Sequence, residues 1–198
     1  MNMEMLLSVC LGIGLSAACG FRVFVPLLTM SVAALSGHLA LAPGFAWVGS
    51  YPALIAFSVA TAVEVAGYYI PWVDHLLDTI ATPAAIIAGT LISASMITDM
   101  SPFLKWTLAV IAGGGTAGMV QGTTVLTRGA STATSGGLAN PLVATLELGG
   151  AIATSLLALV APVLAVGLIA GVFLVFGRKL FRKIRTARAA QTRPSLQT

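Results

Sequence analysis

Apolar residues run along this chain in blocks, punctuated by short polar or Gly/Pro-rich stretches. The first block, residues 6–35, exceeds the roughly 20 residues that cross hydrocarbon. Gly12, Gly14, Gly20 and Pro26 interrupt it, with Arg22 between the last two. Inside a membrane helix such residues mark a kink, close packing or a break. Residues 37–50 hold Pro43, Gly44 and Trp47 and read as an interfacial loop with an aromatic anchor. A second span is predicted over 51–70, followed by a short amphipathic stretch from Pro71 to Asp78 that ends by Pro83. The third span covers 83–98, a polar turn 99–105 and the fourth span 106–127. A polar, Gly-rich segment, 128–141, reads as a loop or a re-entrant gate. Spans five (142–159) and six (163–176) are divided near Pro162.

The expected fold is therefore all-α: a polytopic integral membrane protein of about six transmembrane segments with broken or re-entrant helices. Val63-Glu64-Val65-Ala66-Gly67 matches Leu146-Glu147-Leu148-Gly149-Gly150, which suggests two three-element repeats, 5–98 and 104–177, within one transmembrane domain over 1–177. Three spans per repeat would place the halves in opposite orientations, the inverted plan of many carriers.

Composition agrees. The chain is 58% hydrophobic and 8% charged, with a mean hydropathy of +0.99. So little polar surface cannot cover a soluble domain, and the short alternating segments of a β-barrel are missing. Of ten basic residues, Arg178, Lys179, Arg182, Lys183, Arg185, Arg188 and Arg193 follow the last span. Charge there marks the cytoplasmic side and touches anionic head groups, which is a better account than nucleic-acid binding. The expectation is a disordered basic cytoplasmic tail over 178–198, with the N-terminus on the same side of a bacterial inner membrane. Met1–Met5 lacks the basic start of a cleavable signal, so the first segment is expected to stay. Cys10 and Cys19, about 13 Å apart along a helix, are too far apart to bridge and read as small hydrophobes.

Candidate chemistry lies in the few charges within apolar surroundings, because hydrocarbon tolerates them only when paired or solvated. Arg22 suits an anion contact or an ion pair with Glu64 or Glu147. Glu64 and Glu147 stand alone among aliphatic residues, where burial makes carboxyls proton carriers near neutral pH; helix-gluing hydrogen bonds are the plainer account. Asp74 and Asp78, four apart, share a helix face beside His75 and join the proton-coupling set, although Asp74 also suits a helix cap. Arg128, Ser135 and Asn140 bring an arginine, a hydroxyl and an amide to a Gly-rich stretch that can cradle an anion. The chain shows no nucleophile set, metal-ligand spacing or cofactor fingerprint, so no enzyme, metal or cofactor is expected.

Gly20-Phe-Arg22-Val-Phe-Val-Pro26-Leu-Leu, Ile70-Pro-Trp-Val-Asp74-His-Leu-Leu-Asp78 and Ser135-Gly-Gly-Leu-Ala-Asn140-Pro141-Leu together resemble the bacterial membrane family called domain of unknown function 4126. The likeness covers about residues 10–175. It implies a multi-span membrane protein and no particular activity.

The expected function is thus a small secondary transporter or flippase-like carrier of an anionic or lipid-linked substrate, coupled to protons. The alternative is a non-transporting scaffold or assembly factor whose charges form internal ion pairs. Partners expected are membrane lipid, an anionic small molecule or lipid head group, and a second copy in a homodimer.

Overall fold

The computed structural model of the chain describes residues 3–70, 73–98 and 100–191. Pro71, Trp72, Asp99, Arg193 and the side chains of His75 and of the basic residues from Lys183 onward, all named above, lie outside the described residues. The described residues form helices: α1 (Met3–Cys19), α2 (Phe24–Leu35), a 3₁₀ segment (Pro43–Gly49), α3 (Tyr51–Gly67), α4 (Val73–Met96), α5 (Pro102–Leu108), a π segment (Ala109–Gly114), α6 (Gly115–Ser135), α7 (Asn140–Val160) and α8 (Pro162–Gln191).

Helix α1 is the centre of the bundle and touches α2, α4, α6, α7 and α8. Its small residues make that possible. Ser16 donates to the Gly89 carbonyl at 2.7 Å and shares a hydrogen bond with Ser93 at 3.0 Å, fastening α1 to α4. On the same face of α4, a Cβ on Gly113 would sit 2.6 Å from the Gly89 carbonyl oxygen, so the π segment approaches backbone to backbone. Small residues serve helix packing in lipid this way because no hydrophobic force separates helices from hydrocarbon. Peripheral α3 has only two buried residues, Ala53 and Glu64.

Among the described residues, Leu76–Met96, Pro102–Ser135, Asn140–Val160 and Pro162–Lys179 are long and apolar enough to cross a membrane. A fifth crossing results if Pro43–Gly49 and α3, bent by 66° at their junction, form one broken span. The remaining apolar helices, α1 and α2, are shorter. Four or five crossings by length and composition stand where the hydropathy pattern predicted six.

Three local expectations need correction. Pro83 does not separate an amphipathic stretch from a third span, because α4 runs through it; α4 packs on α1 and the π segment, and such neighbours let a proline stay inside a membrane helix. Residues 128–135 are not a loop but the last turns of α6. Two of their hydroxyls bond back into the helix, Thr134 to Ala130 O at 2.8 Å and Ser135 to Ser131 O at 2.7 Å, which lets these polar residues continue it. The break comes only at Gly136 and Gly137, with φ of 63° and 90°, a left-handed turn suited to glycine. Finally, α8 continues past Gly177 to Gln191, so no helix end marks the start of the basic tail.

Candidate functional site

The breaks after α1, α3 and α6 come together. Arg22 follows α1, Tyr68 follows α3, and Asn140 opens α7 after the glycine turn. Each of these side chains is buried, Arg22 to 1% exposure.

Arg22 and Arg128 share one aromatic ring. Their guanidinium carbons lie 3.8 Å and 3.9 Å from the centroid of Tyr68. Away from water each such contact contributes about 2 kcal/mol. The same two arginines converge on Glu147. Arg128 donates from Nε to both carboxylate oxygens, at 3.0 and 3.1 Å, and from Nη2 to Oε2. Arg22 Nη2 lies 3.6 Å from Oε2 and donates to the Ala144 carbonyl at 2.9 Å, one turn earlier on α7. Arg22 therefore pairs with Glu147 rather than Glu64. Three guanidinium nitrogens remain buried without an acceptor: Nε and Nη1 of Arg22 and Nη1 of Arg128.

Glu64 does something else. Its carboxylate receives the backbone N–H of Val23 at 2.8 Å and of Phe24 at 3.1 Å. The residue before α2 provides no side-chain cap of its own, so α3 supplies one from 40 residues away. A carboxylate there also complements the positive end of the helix.

On the opposite flank, Asn140 donates to Asp74 Oδ2 at 2.9 Å and to the Thr132 hydroxyl at 3.1 Å, tying together the starts of α4 and α7 and the end of α6. One turn along α4, Asp78 Oδ1 lies 3.8 Å from Arg128 Nε and has no hydrogen-bond donor. The carboxylates are held in different ways: Glu147 by both arginines, Glu64 by two backbone N–H groups, Asp74 by Asn140, and Asp78 lies beside Arg128. No group of three His, Cys, Asp or Glu among the described residues could hold a metal ion.

The structure therefore gathers Arg22, Asp74, Asp78, Arg128, Asn140 and Glu147 into one network, with Glu64 at its edge. Ser135 stays outside it: its hydroxyl accepts the Ala139 N–H at 3.1 Å and closes the turn between α6 and α7. Tyr68 is the participant that sequence reasoning missed. An aromatic pair at the end of an apolar span reads as an interfacial anchor, and only its position just before the Asp74–Asp78 motif hinted at more.

The family model Domain of unknown function (DUF4126) matches residues 9–183, and the chain belongs to that family. No curated protein and no solved structure matches it.

Proposed function

We propose that this chain is a small proton-coupled carrier of an oxyanion, a carboxylate or phosphate that is free or borne on a lipid, in a bacterial inner membrane. One observation carries the reading. The Glu147 carboxylate sits between two guanidiniums that keep N–H donors without acceptors. It occupies the seat a substrate oxyanion would take. Protonation of Glu147 weakens its hold on Arg22 and Arg128, and an incoming anion then takes the vacated hydrogen bonds. Release runs in reverse, so anion and proton travel together. Asp74 and Asp78 serve as further proton sites, Asn140 orients Asp74, and the backbone breaks act as hinges.

In this reading the broken pair α1–α2 acts as one segment, which gives six, in two inverted three-element repeats with both termini cytoplasmic. The two repeat glutamates on the second helices of their halves, each close to Arg22, support it. A homodimer would supply the bulk that a chain of 20.1 kDa lacks.

A second reading, a non-transporting scaffold, is favoured by the Glu64 cap and the bidentate Arg128–Glu147 pair, which are ordinary structural locks. Thermal unfolding of the purified protein at about pH 5.5 and about pH 7.5, with inorganic phosphate, citrate or a short-chain phosphatidic acid, separates the two. A carrier is stabilised by one of these anions, more at the lower pH, and Arg22→Lys weakens the effect. Stabilisation by none of them, at either pH, means a scaffold.

A further inference from the structure

Helices α4 and α6 part beside the charged centre and leave a groove of about 560 Å³, lined by Asp78, Thr82, Arg128, Gly129 and Thr132 among others. Its lining mixes the polar side chains of Asp78, Thr82, Arg128 and Thr132 with Val125, Gly129 and Ala133; just behind the surface, Arg128, only 3% exposed, keeps a buried Nη1 without an acceptor and Asp78 a buried Oδ1 without a donor. Both walls belong to helices long and apolar enough to cross a membrane, Leu76–Met96 and Pro102–Ser135, and the lining residues Thr79, Gly129 and Ala133 are exposed on their surface. An opening on that surface faces lipid rather than bulk water.

Depth points the same way. Asp78 is five residues into α4 and Arg128 seven from the end of α6. At 1.5 Å per residue both lie about 8–10 Å from their helix ends, within reach of the head-group level. The groove is open beside Gly129, where a Cβ would meet nothing within 4 Å.

We infer that the substrate is an amphiphile: its anionic phosphate or carboxylate head enters sideways between α4 and α6 to reach Arg128, and its apolar tail stays in the membrane. Asp78 stands at the entrance, where its charge admits the head group only when protonated or paired with Arg128. This rests on the carrier reading and adds the substrate class and the route.

The test measures binding of dihexanoyl phosphatidic acid, dihexanoyl phosphatidylcholine and inorganic phosphate to the full chain in detergent micelles. Phosphatidic acid is expected to bind at least about tenfold more tightly than either of the others. Gly129→Trp fills the slot and is expected to weaken that binding by at least about tenfold. Gly115→Trp, also facing open space on α6 but far from the groove, controls for the bulk of the added ring and is expected to bind as the parent does. Equal binding of inorganic phosphate and phosphatidic acid would overturn the amphiphile. Unchanged binding in Gly129→Trp would overturn the route; if Arg22→Lys still weakens binding in that case, the carrier reading stands without it. Failure of every oxyanion to bind the parent protein removes both.

Discussion

Arg22 lies with its guanidinium carbon 3.8 Å from the centre of the Tyr68 ring, and through that ring it shares a support with Arg128. One aromatic side chain thus steadies both cations of a buried centre. Replacing Tyr68 by Leu removes two desolvated cation–π contacts and is expected to cost roughly 2–4 kcal/mol, read as a lower unfolding midpoint in detergent. Phe keeps the ring, so Tyr68→Phe should retain most of that stability. Equal losses for Leu and Phe would show that the hydroxyl matters and the ring does not.

The Arg128–Glu147 pair is buried on both sides, at 3% and 6% exposure. Removing one partner leaves the other charged and uncompensated, which costs about 3–5 kcal/mol in buried pairs. Arg128→Leu and Glu147→Leu should each be severe. The double variant should be less damaging than the two losses summed, because neither charge is then stranded. A double-mutant cycle on unfolding midpoints measures this, and simple additivity would mean the two groups do not depend on one another.

Glu64 holds two backbone donors of α2, so its loss should be local. Glu64→Leu orphans the N–H groups of Val23 and Phe24 and is expected to cost about 2–3 kcal/mol. Glu64→Gln keeps one acceptor and should cost about half as much. Hydrogen exchange at the start of α2 is the direct readout: it should quicken in Glu64→Leu, less in Glu64→Gln, and stay unchanged at the α6–α7 turn.

Much of the centre was legible because charge is rare in this chain and hydrocarbon penalises it. That argument found Arg22, Glu64, Asp78 and Glu147 without any knowledge of who meets whom. Partner choice was not legible: Arg22 had two glutamates at plausible positions, and only the fold turns Glu64 toward the N-terminus of α2. Residues 128–135 misled for a definable reason. Ser, Thr and Gly in a run imitate a loop, yet each hydroxyl can bond back into its own helix, and sequence does not show which option the backbone takes. Pro83 misled likewise, since proline ends helices in water but is carried inside membrane helices by their neighbours. Tyr68 carried no charge and so gave no signal beyond its place just before the Asp74–Asp78 motif.

Gly20 links this packing to the site two residues downstream. A Cβ there would lie 2.5 Å from the Ala117 carbonyl oxygen and 2.8 Å from the Gln121 nitrogen, both backbone atoms of α6 that cannot swing aside. Gly20→Ala must therefore push the end of α1 away from α6, at an expected cost of about 1–3 kcal/mol. Because Arg22 sits on the displaced segment, its 3.6 Å approach to Glu147 should lengthen as well. Gly122 is the matched control on α6, where an added Cβ meets nothing within 4 Å; Gly122→Ala should be neutral or up to about 1 kcal/mol stabilising through helix propensity. Unfolding midpoints of the two variants decide the matter. Gly20→Ala as stable as Gly122→Ala would mean that α1 does not press against α6 at this point, and that Arg22 is positioned by something other than close backbone packing.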